Sequence, residues 1–155
     1  MTNHAKIAKE LFKKGYNCSQ AVVGAFAEEL GVDFDTAIKM SSSFGGGMGR
    51  LREVCGTVSG MLMAAGLKYW DLNADAREAK TKHYEKVQEL ARRFKEKNGS
   101  IICRELLKGI ENSTSPIASE RTAEYYKKRP CLELVGDAAE ILEQYIKENS
   151  TVKSC

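Results

Sequence analysis

Apolar residues recur at helical spacing along the whole chain, and nowhere do they alternate with polar ones over the length of a strand. Val135, Ala138, Ala139, Leu142, Tyr145 and Ile146 make one face of a helix that Pro130 is placed to start. The same period runs through Ile7, Ala8, Leu11 and Phe12, expected as a helix over 3–14 that Gly15 stops. It runs again through Val54, Val58, Met61, Leu62 and Ala65 over about 51–70, and through Val87, Leu90, Ala91 and Phe94 over 74–97, closed by Asn98 and Gly99. Asn17 with Gln20 three residues later is a capping box, opening a helix that carries Ala21, Val22, Ala25, Phe26 and Leu30 and ends at Gly31. Asp33 or Asp35 caps a third helix, and Ser100 is placed to cap a short one holding Cys103, Leu106 and Leu107. A further short helix is expected at 117–128. Only two prolines interrupt the 155 residues. The predicted class is therefore all-α, an irregular bundle of about six to eight helices. It forms a single domain over 1–148, with 149–155 as a frayed tail.

A chain of this length buries roughly two thirds of the surface its unfolded form exposes, so it needs no disulfide or metal merely to fold. The most apolar window, "GMLMAAGL", is far short of the roughly 20 residues a membrane-spanning helix needs, so no membrane span and a cytoplasmic location are expected. Net charge is +3 with acids and bases mixed, and the basic residues around "ARRFKEKNGS" lack the interleaved stacking aromatics of a nucleic-acid surface. Nucleic acid is not an expected partner.

Five cysteines, Cys18, Cys55, Cys103, Cys131 and Cys155, stand in such a chain. In a reducing compartment, clustered thiols point to metal binding or redox chemistry rather than to a disulfide framework. No C-x-x-C pair occurs, which argues against a zinc ribbon or thioredoxin-type motif, and no C-x-x-C-H site for covalent haem exists. Position is more informative. Cys18 follows the Asn17 cap, Cys103 follows Ser100, and Cys131 follows Pro130, so three cysteines fall in first helical turns. Free N–H groups and the positive end of the helix dipole favour a thiolate there, so a lowered pKa is expected. Arg104, Arg129, Arg50 and Arg52 add positive charge nearby in sequence. A single buried cysteine is ordinarily a small hydrophobe; three sharing one helical position point to use.

The stretch "SSSFGGGMGRLREVCGTVSG", residues 41–60, invites a phosphate-cradle reading. That reading needs a preceding strand and a Lys-Ser or Lys-Thr, or a third glycine where Arg50 stands, and the chain has none of these. Gly56 and Gly60 instead form a small-residue seam that lets another backbone come close and can bring Cys55 toward other sulfurs. His4 and His83 fall on charged helix surfaces and read as solvated. Trp70, Tyr125 and Tyr126 read as core or interface aromatics.

"GYNCSQAV", "FGGGMGRLREVCGTVSG", "CRELL" and "CLELVGDAAEIL" together resemble, in order and spacing, the redox-active family named for its C, GCAxxG, C, C pattern. The resemblance covers about residues 5–148. It implies a small, mostly helical, redox-associated domain whose four cysteines are Cys18, Cys55, Cys103 and Cys131, with Cys155 outside the pattern. Thr57 stands where the family commonly has alanine. A related domain occurs in split-Soret-type cytochromes beside an iron-sulfur centre, and with no haem motif here only the cysteine part carries over. The leading expectation is a four-thiolate site holding an iron-sulfur cluster of the 2Fe-2S kind, for one-electron transfer or sensing. The alternatives are metal-free thiol/disulfide exchange through the same four cysteines, and a structural zinc site or helical interaction module. A redox partner protein is implied but not identified, and the sequence leaves room for a homodimer.

Overall fold

The computed structural model describes residues 3–151. Among them are eight helices: α1 (His4–Lys13), α2 (Cys18–Phe26), α3 (Phe34–Ser41), α4 (Gly56–Tyr69), α5 (Ala76–Asn98), α6 (Cys103–Leu106), α7 (Ala123–Lys128) and α8 (Cys131–Thr151). A 3-10 turn, Ser42–Phe44, and a glycine turn, Gly45–Met48, join α3 to α4. The glycine turn is not counted as an α-helix, because Gly46 and Gly47 have φ of 69°. No strand occurs among the described residues, only an isolated antiparallel bridge between Val54 and Ile102. The class is all-α, as expected. No helix among the described residues is long and apolar enough to cross a membrane.

Helix α1 packs against α8 and α2 against α4, and the apolar stripes meet around Phe12, Phe26, Val58, Met61 and Leu142, with Leu90 and Phe94 added from α5. Fully enclosing side chains of this size stabilises a fold by about 1.5–3 kcal/mol each.

The Asn17 capping box forms as expected: Asn17 Oδ1 accepts from the Gln20 N–H at 2.9 Å, and Gln20 Oε1 accepts from the Asn17 N–H at 3.0 Å. Of the two candidates before α3, Asp33 is the cap. Other boundaries differ from the sequence reading. Helix α4 starts at Gly56 rather than near Leu51, because residues 53–55 are held extended by the bridge to 101–103. Ser100 does not cap α6; its hydroxyl accepts from the Ile102 N–H just before the helix. Thr122 opens α7, which covers only the second half of 117–128. Helix α8 continues to Thr151, past the expected boundary at 148; the rest of the expected tail, Cys155 included, lies outside the described residues.

His4 is not solvated. It is buried, its ring stacked on Phe26 with centroids 4.1 Å apart. Its Nδ1 lies 2.7 Å from Glu143, and Nε2 lies 2.6 Å from Glu29, near enough for an ion pair but not aligned as a hydrogen bond. The charged neighbours that suggested a surface in the sequence are the lysines of α1: Lys6 and Lys13 are exposed and Lys9 reaches Glu133 of α8 at 2.9 Å, while the packing of α1 on α8 encloses the imidazole. His83 is half-buried, edge-on to Trp70, which itself stays exposed.

A cavity lined by four cysteines

Three local devices assemble the site. The first is a left-handed turn. Gly46, Gly47 and Gly49 have φ of 69°, 69° and 60°, and Met48, Arg50 and Arg52 share that region at 69°, 72° and 62°. The Cβ of an ordinary residue makes this conformation cost about 1–2 kcal/mol, so such a run persists only where its surroundings hold it. Here the Arg52 N–H donates to Gly46 O at 3.2 Å and the Glu53 N–H to Gly47 O at 2.9 Å. The turn also sits flat on its neighbours, since a Cβ on Gly47 would lie 2.8 Å from Cys103 Cβ.

The second is the bridge. The Cys55 N–H donates to Ile101 O at 2.8 Å and the Cys103 N–H to Glu53 O at 2.6 Å, around the Val54–Ile102 pair. With side chains alternating along each extended segment, Cys55 and Cys103 fall on one face of it. The third is the glycine seam. A Cβ on Gly56 would lie 2.5 Å from Cys18 Sγ, and one on Gly60 would lie 2.7 Å from Ser19 O. Helix α4 can seat against the start of α2, with Cys18 beside Cys55, only because both positions lack a side chain.

Cys131 arrives from α8, directly after Pro130, with Tyr125 of α7 hydrogen-bonded to its sulfur. All four cysteines line one cavity of about 320 Å³, together with Arg50, Arg52, Arg121, Arg129 and Tyr125. The sequence placed three of them at helix starts. The structure places all four there: Cys18, Cys103 and Cys131 open α2, α6 and α8, and Cys55 immediately precedes α4.

Each sulfur has a donor. Cys18 accepts from the backbone N–H groups of Gly46 and Ser19. Cys55 lies 3.1 Å from Thr57 Oγ1 and also accepts from the Thr57 N–H. Arg52 Nη1 is 3.8 Å from Cys103 Sγ. Even so, the expected lowering of the thiol pKa does not occur at Cys18 or Cys131. Burial pushes Cys18 up, Cys55 up to about 12 and Cys131 up to about 11. Removing a thiolate from water costs more than the few donors at a helix start return. All four are free thiols. No group of three or more Cys, His, Asp or Glu among the described residues is arranged to hold a metal ion as it stands.

Sequence reasoning missed Thr57 and Tyr125 as contacts of the sulfurs. Thr57 is fully buried against Cys55, and a hydroxyl two residues after a cysteine was the available signal. Tyr125 left none, because the loop between α6 and α7 brings it to Cys131. Arg52, read as a neighbour of Cys55, reaches Cys103 instead.

Four cysteines from four separate segments, gathered at helix starts on one cavity of an all-α domain, define a cysteine-motif protein of redox type. The chain belongs to the family described as "Putative redox-active protein (C_GCAxxG_C_C)", whose sequence profile matches residues 16–145. It is also similar to an uncharacterized protein of Archaeoglobus fulgidus, 28% identical over 149 residues that make up 92% of each chain. No solved structure matches it.

Proposed function

We propose that Cys18, Cys55, Cys103 and Cys131 jointly hold an iron-sulfur cluster, of the 2Fe-2S kind, used for one-electron transfer or sensing. The observation that carries this reading is the opening of four soft sulfur donors onto one cavity, each with its own N–H or O–H donor. When bound, the cluster would supply one-electron exchange at iron. The rest is the work of the chain. The Gly46 and Ser19 N–H groups, the Thr57 hydroxyl, Arg52 and Tyr125 hydrogen-bond the sulfurs and offset their negative charge, which raises a reduction potential. The Gly56 and Gly47 contacts fix where Cys18 and Cys103 stand. Burial keeps Cys18, Cys55 and Cys131 protonated until a metal displaces their protons.

The same burial weighs against metal-free thiol exchange, which needs a thiolate near neutral pH. A single zinc ion with sulfur bonds of about 2.3 Å requires its ligands to crowd to about 3.8 Å from one another. The four donors open onto a cavity of about 320 Å³, room for a group larger than a single ion. Iron and acid-labile sulfide analysis of protein prepared without oxygen, beside its four single Cys→Ser variants, tests the proposal.

A further inference from the structure

Arg52 is 3% exposed. A guanidinium so enclosed is ordinarily paired with a carboxylate, yet among the described residues Arg52 makes no ion pair. Its Nε donates to Ser113 O at 3.0 Å, its Nη1 faces Cys103, and its buried Nη2 has no hydrogen-bond partner. Arg50 likewise spends its N–H groups on neutral acceptors, Ser115 O and Ser119 Oγ. Arg129 has one carboxylate, Glu111 at 2.9 Å, and shares Ser119 Oγ. Of the four guanidiniums that line the cavity, Arg121 is spent on the Phe12 and Tyr16 carbonyls, Arg129 is matched by an acid, and Arg52 holds an unused, buried N–H edge.

We propose that Arg50, Arg52 and Arg129 form a binding site for a small oxyanion, a phosphate, sulfate or carboxylate group, free or as the charged end of a substrate, held beside the cysteines. The guanidinium fork presents parallel N–H groups at the spacing of such oxygens. The ligand would give these guanidiniums the anionic partner that, of the three, only Arg129 has within the protein. This site uses side chains other than the cysteines and does not rest on the cluster reading.

The test is calorimetric titration of the full chain, stripped of metal by a chelator, with sodium phosphate, sulfate and acetate, and with sodium chloride at matched ionic strength. At least one oxyanion should bind saturably where chloride does not. Arg52→Met should weaken it about tenfold or more. Arg50→Met should also weaken it and serves if Arg52→Met does not fold. Arg92→Met, on α5 and outside the cavity lining, should leave binding in place. Phenyl phosphate binding as tightly as inorganic phosphate, or tighter, assigns the site to the charged end of an organic substrate; inorganic ions binding alone assign it to the free anion. A response no different from that to chloride, or unchanged affinity in the foldable arginine variant, would overturn the proposal. Oxyanion binding in a protein that never takes up iron would sink the cluster reading alone, and a cluster-bearing protein whose metal-free form binds no oxyanion would sink this one alone.

Discussion

Gly56 stands against Cys18 so closely that a methyl group on it would come within 2.5 Å of the Cys18 sulfur and 2.7 Å of Phe44 O. The sulfur side chain can turn aside, but the Phe44 carbonyl is backbone and cannot yield without moving the turn. Gly56→Ala is therefore expected to lower unfolding stability by about 1–3 kcal/mol and to abolish iron uptake. Urea denaturation and iron analysis read the two effects, and a variant with wild-type stability and full iron contradicts the account.

Gly47 has a φ of 69°, and a Cβ added to it would lie 2.7 Å from Glu53 N and 2.8 Å from Cys103 Cβ. Gly15 has a φ of 107° and open space around it. Both alanine variants carry backbone strain, of about 1 kcal/mol, but only Gly47→Ala presses on the site. Denaturation and iron analysis should show Gly15→Ala mildly destabilised with its site intact, and Gly47→Ala more destabilised with iron lost. Equal behaviour of the two would remove the packing role of the turn.

The raised thiols predict an alkaline weakness in the metal-free protein. With Cys55 at about 12 and Cys131 at about 11 when folded, the folded state keeps protons that the unfolded chain releases above a thiol pKa of about 8.5. Their contribution to stability is full below that value and is lost as pH rises through the window up to the folded values. Melting temperature should fall across that range, less steeply in Cys55→Ser. Iodoacetamide should modify Cys18, Cys55 and Cys131 more slowly than free cysteine near pH 8. Rapid alkylation of one of these three would favour the thiol-exchange alternative.

His4 offers a contrast remote from the cavity. Burial raises the Glu143 carboxyl, but the His4 N–H and ring bonds outweigh it, so the group is held below its ordinary range. A depressed carboxyl contributes stability above its unfolded pKa, and that contribution is lost as pH falls through the folded value. His4→Ala should cost about 1–3 kcal/mol at neutral pH, flatten the acid limb of stability, and leave iron content unchanged. Loss of iron in this variant would tie His4 to the site.

Helix positions were legible because apolar spacing is a local signal, and the Asn17 capping box could be read to the residue. The grouping of the cysteines could be inferred only from the motif and the family resemblance together, while Gly56 and Gly60 mark a close approach. What escaped depended on partners distant in sequence. His4 looked exposed because its neighbours are lysines, while the residues that enclose it, Phe26 and Glu143, lie on other helices. The left-handed run through Met48, Arg50 and Arg52 breaks residue preference and is held by tertiary contacts. The helix-start argument had the right geometry and, at Cys18 and Cys131, the wrong sign of pKa shift, because burial is not visible in sequence.

The most direct measurement is the iron and acid-labile sulfide content of the protein expressed and purified without oxygen. The account predicts a coloured protein carrying both in equal amounts, with serine at Cys18, Cys55, Cys103 or Cys131 bleaching it. A colourless, iron-free protein from that preparation, with all four cysteines intact, would contradict it.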